Sequence, residues 1–509
     1  MEPPPSRTGA SPPPQPAWRW PPPPSTSPAA RPARPQRSYQ PYLVVRARAD
    51  RRLIMGSVAG GVVFDIAARS GLATITGTAW VILTAAAILL GGRVRGMASR
   101  IVIGAAAVLG LILTFRSSSW VIVPATLAVA VLLVLGVSLG ADGSRLSATF
   151  PALGARIAHA VGHVAIAPGM FRFQGEPAAG VAARKRAAAV ARGALLAVPV
   201  MLLVGLLLGV ADPIFRSWFD LTAVLQHLVL AVIGAWAVVG LARAASAQQP
   251  SPALPAPPPL GAFEAACVLG GLCALYAAFV GAQFVALSGA GHRILVTHGL
   301  TYAQYARSGF FQLLACAGIT FLVLLGVRAC AKQDHPVLMG LSGLTAALTI
   351  GVVIVAIRRL QLYEAEFGLT MLRLACLVAA VWIGIVFVLL GCTVPRRGLP
   401  RRRFPAAVIL SGLIVVGIWS AFNPATIVAQ TNLRRAEHGQ RLDVRQVASL
   451  GPDAVPALAA GLGHLDASQA VELRHAICAR SPGKDAGTAF NMSRATASQA
   501  LARACGASG

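Results

Sequence analysis

Nine ionisable side chains, Asp65, Asp212, Asp220, Arg307, Arg358, Arg359, Glu364, Glu366 and Arg373, stand at the ends of long apolar stretches. Their placement carries information. A charge in hydrocarbon costs about 2.5 to 3.5 kcal/mol on insertion scales, so it is retained where a partner or water receives it. Carboxylates and guanidiniums gathered in one layer can close ion pairs or hold a charged solute. Tyr302, with an apolar ring and a polar tip, suits the same headgroup level. Asp65, Asp212, Tyr302, Arg307, Arg358, Glu364 and Arg373 are therefore nominated as an outward-facing polar site. The competing explanation is that each marks a point where a helix meets water.

Other chemistry is thin. His159 and His163 are spaced four apart, as metal-binding pairs on a helix are, but no Asp, Glu or Cys nearby completes a shell, so no metal is assigned. Glu264 and Gln283 share one apolar run, where a proton or cation route would want such groups lined up along one face; Glu264 stands almost alone at its level, and a transport path stays an open alternative. Cys267, Cys273, Cys316, Cys330, Cys376 and Cys392 fall within or at the ends of apolar runs, where Cys serves as a small hydrophobe. Cys478 and Cys505 lie in the polar C-terminal tail, where an oxidising compartment would let them pair. No nucleophile elbow, phosphate loop, redox thiol pair or zinc-protease helix occurs, so neither catalytic residue nor cofactor is nominated. Asn491-Met492-Ser493 fits the glycosylation triplet, a pattern too common to interpret.

The elements that must position these residues are membrane helices. Hydrophobic residues make up 56% of the chain and charged ones 12%, against about 25% charged in soluble domains. The net charge of +27 does not point to nucleic acid, because the Arg cap apolar runs instead of clustering among aromatics. Runs fall at 53–70, 72–92, 101–115, 119–140, 189–210, 220–242, 261–287, 308–330, 336–357, 369–391 and 404–423. Most reach the roughly 20 residues that cross a bilayer. The expected fold is all-α, a polytopic transmembrane bundle of about eleven helices. The first run, broken by Asp65, and the third, enclosed by Arg100 and Arg116, are the weakest. Gly56/Gly60, Gly136/Gly140 and Gly205/Gly209 have the spacing that lets helices pack closely.

With the N-terminus cytoplasmic and every run crossing, 27 Lys and Arg fall on the inner side, 8 on the outer side and 9 in the tail. That asymmetry predicts a plasma-membrane protein with its N-terminus inside and its C-terminus outside. Residues 1–52, with fifteen Pro and nine Arg, read as a disordered cytoplasmic arm that would meet anionic lipid or a protein partner. The first half, 53–242, holds six helices and an inner loop, 141–188, with an amphipathic piece at 155–164. A Pro-rich linker, 243–260, joins it to a second half of five helices, 261–423. The tail, 424–480, reads as a small helical extracytoplasmic domain, and 481–509 as a disordered end. No removable signal peptide is evident.

Four ordered pieces carry a resemblance. They are the run Gly299 to Phe311 (GLTYAQYARSGFF), Ala211-Asp212-Pro213-Ile214-Phe215, the stretch Arg359 to Arg373 with Tyr363-Glu364 and Gly368-Leu369-Thr370, and Leu442-Asp443 through Gly451-Pro452-Asp453-Ala454-Val455-Pro456. Over roughly 50–462 the chain resembles the uncharacterised bacterial integral-membrane family known as domain of unknown function 4173, related to 4153. Gln304 stands where the resemblance leads one to expect an acidic residue. The family brings no activity with it. The expectation is envelope transport or sensing through the polar site. The alternatives are a membrane-embedded enzyme on a lipid-linked or envelope substrate, with Asp212 or Glu364 as base, and a scaffold recruiting partners through arm and tail.

Overall fold

In the computed structural model the described residues are 51–91, 94, 96–139, 150–166, 204, 221–246, 260–287, 309–330, 335–394, 403–480 and 487–506. Asp212, Asp220, Tyr302, Arg307, the run 189–210 apart from Val204, and residues 1–50 of the N-terminal arm lie outside them. An apolar run in lipid has no water to satisfy its backbone, so those among the described residues fold into helices that satisfy their own N–H and C=O groups. In chain order these are α1 (Arg51–Ser70), α2 (Ile75–Gly91), α3 (Met97–Gly110), α4 (Ile112–Phe115), α5 (Ser119–Ser138), α6 (Phe150–Ala165), α7 (Leu221–Ser246), α8 (Ala262–Leu287), α9 (Phe310–Cys330), α10 (Pro336–Phe367), α11 (Met371–Gly391) and α12 (Phe404–Ala421). The tail adds α13 (Pro424–Glu437), α14 (Val444–Ala448), α15 (Val455–Gly461), α16 (Ala467–Cys478) and α17 (Met492–Gly506).

Among the described residues nine helices are long and apolar enough to cross a membrane, counting α3 and α4 as one stretch, and Ile75–Leu90 is a shorter apolar helix. The chain is an all-α polytopic bundle. Its outer surface is that of a membrane protein: Leu90, Ile101, Leu322 and Leu410 are more than half exposed. Two helix groups form inside it. The first, α1 to α7, closes on Val81, Ile88, Ile103, Leu132 and Ala244. Its tightest contact is α1 on α7, where a Cβ on Gly61 would lie 2.4 Å from the Ala231 carbonyl oxygen, so only glycine permits that approach. The second, α8 to α12, closes on Leu269, Leu324, Val353, Phe387 and Leu390. The groups meet where α5 lies against α12.

Helix α6 packs on α5 and α7. Its last carbonyls are taken by α7: Trp236 Nε1 donates to Val164 O at 2.8 Å and Arg243 Nη1 to Ile166 O at 3.1 Å. A guanidinium at a helix C-terminus also meets the negative end of the dipole.

The turns at 71–74, 116–118, 368–370 and 422–423 all reach the tail, which therefore caps one end of the bundle. The rings of Phe150, Phe321 and Phe404 cluster at the other end. The tail core, built on Val428, Leu433, Val447, Leu458, Leu473 and Leu501, is continuous with Leu369 and Met371 of the α10–α11 corner.

Two expectations are corrected. The apolar run 336–357 continues as helix to Phe367, giving 32 residues. That is about 48 Å of helix against about 30 Å of hydrocarbon. The end read as disordered, 481–509, contains α17 over 492–506. Its aliphatic content is low, but Ala497 and Leu501 bury a narrow stripe against α15, and Asn491 Oδ1 caps it by accepting from the Arg494 N–H at 3.2 Å.

Candidate functional site

The surplus length of α10 brings Arg358, Arg359, Tyr363, Glu364 and Glu366 past its apolar run. The helix stops at Gly368, whose φ of +78° belongs to a region that glycine enters without strain. Thr370 then starts α11, its Oγ1 accepting from the Arg373 N–H at 3.3 Å. The Arg373 guanidinium folds back to donate to the Gly368 carbonyl and lies 4.2 Å over the Tyr363 ring, a cation–π contact. Glu364 is within electrostatic reach of Arg373 and Arg435. Arg359 comes up against Gly309, where an added Cβ would lie 2.6 Å from its Nη1.

The tail clamps this corner by its backbone. Asn432 accepts from the Leu369 N–H at 3.2 Å and donates to the Leu369 carbonyl at 2.7 Å, and Gln446 donates to the same carbonyl at 2.9 Å. Arg435 reaches the carbonyls of Glu364, Ala365 and Glu366 at 3.2, 2.5 and 3.2 Å. The Glu364 carbonyl also accepts from the Gly368 N–H at 2.8 Å, while those of Ala365 and Glu366 are the left-over acceptors of a helix C-terminus, which a guanidinium fork is suited to collect. Between corner and tail lies a polar cavity of about 390 Å³. Asn432 and Arg435 line its wall, and exposed Glu366, Gln440, Arg441 and Asp443 surround it.

A second junction holds the tail to the first helix group. Asp453, 3% exposed, accepts from the Ser117 N–H at 3.1 Å, the Ser118 N–H at 2.7 Å and the Ser117 hydroxyl at 3.3 Å. A carboxylate there complements the dipole at the start of α5. Arg116 donates to the carbonyls of Ser420 and Ala421, which end α12. Asn491, wholly buried, donates to the carbonyls of Ala73, Leu113 and Arg116. The glycosylation triplet is thereby consumed by structure.

Asp65 occupies a separate corner, on α1 facing α7. Its carboxylate is 2.7 Å from His227 Nδ1 and 3.3 Å from Arg69 Nε, with 11% of its side chain exposed. Of the nominated residues, then, the structure brings Glu364 and Arg373 together, leaves Arg358 exposed on the same helix, and engages Asp65 elsewhere. Asp212, Tyr302 and Arg307 lie outside the described residues. His227, Asn432 and Arg435 were missed. His227 is an ionisable group inside the apolar run 220–242, which is a sequence signal; the clamp pairs have none, because their partners are backbone.

On α6, His163 Nε2 lies 3.2 Å from His159 Nε2, and among the described residues no group of three metal-ligating side chains occurs. Burial, followed by the nearby His159 and Arg243 charges, pushes His163 down to about 4. In the tail the structure joins Cys478 to Cys505, linking α16 to α17 across 27 positions with Cα atoms 6.1 Å apart.

A family model described as Domain of unknown function (DUF4153) matches residues 103–461. No curated protein matches. No solved structure matches.

Proposed function

The chain belongs to the DUF4153 family, and from that premise we propose that it is a bacterial plasma-membrane protein of envelope transport or sensing, with a solute site on the extracytoplasmic side. One observation carries this reading: the cavity between the α10–α11 corner and the tail. Its rim mixes Arg441 with Glu366 and Asp443, and Gln440 adds amide donors and acceptors, which suits a small zwitterionic or hydrogen-bonding solute. The tail also grips both helix groups, at Asp453 and at Arg435. A solute that tightens or loosens the tail would therefore change how the two groups are held.

The orientation rests on cation asymmetry, and the gathering of the tail with alternate turns at one end of the bundle agrees with it. A cystine in the tail suits an oxidising outer side. The narrower assignment to the 4173 branch rests on the run Gly299 to Phe311 together with the three other ordered pieces; the second glycine of that run, Gly309, meets Arg359.

The test joins topology to access. Alkaline phosphatase fused to the C-terminus is expected to be active and a fluorescent protein there dark. In a chain with its six free cysteines replaced, Arg441→Cys and Arg358→Cys are expected to react with a membrane-impermeant maleimide added from outside. A dark phosphatase, or inert cysteines at both positions, would overturn the reading.

A further inference from the structure

The two helix groups leave a concave apolar groove of about 820 Å³ along their seam, with α5 and α11 as walls and α12 as floor. Trp120, Trp382 and Trp419 line it, with Val123, Leu127 and Gly412 between them. An indole usually brings a polar N–H to a site. Here two are spent inside the protein: Trp419 Nε1 donates to the Trp120 carbonyl at 2.8 Å and Trp382 Nε1 to the Ser411 hydroxyl at 3.2 Å. What those two rings offer the groove is hydrocarbon.

Its place and length select the occupant. All three helices are long and apolar enough to cross a membrane, so the groove opens sideways into lipid and water has no reason to fill it. Along α5 it runs from Ser119 to Val131, about 18 Å at 1.5 Å per residue. One leaflet of a hydrocarbon core is about 15 Å deep. The groove begins at the end of the bundle that carries the tail, at Ser119 and Trp419, and continues to the bilayer centre. We infer that this seam is a lipid site, holding an acyl chain of a phospholipid from the leaflet next to the tail. This inference is independent of the solute cavity, since no residue is shared between them.

The experiment uses the full chain in vesicles of phosphatidylethanolamine and phosphatidylglycerol carrying a trace of phospholipid with a photoactivatable diazirine on its acyl chain. After illumination, adducts on α5, α11 and α12 groove peptides are expected to exceed those around Ile101 and Leu322, equally exposed elsewhere, by at least fivefold. Gly412→Leu, which fills the floor beside Trp382, is expected to erase that excess. Val123→Trp, at an exposed wall position, is expected to do the same and guards against misfolding of the first variant. Leu322→Trp, away from the seam, should leave it intact. Adducts spread evenly over all exposed helices, or an excess that persists in either filled variant, would overturn the inference and leave the solute site untouched.

Discussion

The Asp453 carboxylate lies 2.7 Å from the backbone nitrogen of Ser118, so a residue of the tail supplies the cap that α5 lacks in its own sequence, where the Ser118 side chain makes no capping bond. The same residue's carbonyl accepts from Asn423 Nδ2 at 2.9 Å and Thr426 Oγ1 at 3.0 Å. One aspartate thus ties the tail, the end of α12 and the start of α5. Asp453→Ala removes a buried acceptor from two backbone N–H groups and is expected to cost about 2 kcal/mol. Asp453→Asn, which keeps one acceptor and loses the charge, is expected to cost about half of that. Thermal unfolding in detergent checks the order, and limited proteolysis should show the tail of the Ala variant cut first.

Arg435 and Asn432 hold the α10–α11 corner by its backbone, so their removal should loosen that corner without disturbing the bundle. Losing the Arg435 fork removes a donor from three carbonyls; that of Glu364 keeps the Gly368 N–H, the other two are partly recovered by water, and a net loss of about 1.5 to 3 kcal/mol is expected. Hydrogen exchange at 364–370 should then speed up by about tenfold or more, since 1.4 kcal/mol is one decade. Arg435→Lys is expected to rescue only part, because an ammonium cannot present a planar fork. Gly368→Ala should be worse than either single clamp variant: its φ and ψ, 78° and 172°, cost a side chain about 1 to 3 kcal/mol. Its Cβ would also lie 2.6 Å from Asn432 Oδ1.

The bundle was legible because lipid enforces it. Of the eleven apolar runs, ten appear as helices among the described residues, and their ends differ from the run boundaries where polar residues continue a turn. Hydropathy failed at Arg358 to Phe367 for a physical reason. These residues are too polar to read as a span, yet they stay helical because Arg373, Arg435 and Asn432 satisfy the end they form, and two of those three, Asn432 and Arg435, lie 63 and 71 positions beyond the residues they bond. The tail was half legible. Its early helices announce themselves by aliphatic stripes, whereas α17 depends on Asn491 and on distant carbonyls of Ala73 and Leu113. Of the charges that the sequence assigns to one layer, the described ones gather at two corners, Glu364 with Arg373 and Asp65 with His227, a lateral separation that no one-dimensional pattern carries; Asp212, Tyr302 and Arg307 lie outside the described residues.

The Cys478–Cys505 link crosses the tail between the part that grips the second helix group and α17, which grips the first. Closing a loop of this length is worth about 3.5 kcal/mol in the chain-entropy account. Cys478→Ser with Cys505→Ser, or reduction, is expected to lower the tail's unfolding midpoint and expose Asn491 to exchange, while the membrane helices keep their helical signal. A tail equally resistant in the reduced chain would show that Asp453 and Asn491 suffice to dock α17.

His163 gives the chain an acid-sensitive contact at the end opposite the tail. Burial holds it near 4 when folded, against an ordinary value of 6.5, helped by His159 and Arg243. Between those values the unfolded or undocked form binds a proton that the docked form does not. The stability His163 contributes is therefore complete above about pH 6.5 and declines as pH falls towards about 4. Docking of α6 should weaken across that window. Trp236, whose indole donates to Val164 at the end of α6, is the natural reporter: its emission, taken as the difference from a Trp236→Phe chain, is expected to shift to the red below pH 6.5. His163→Leu is expected to flatten the response while leaving the neutral-pH spectrum unchanged. A response that survives in that variant would assign the transition to His159 or to another group.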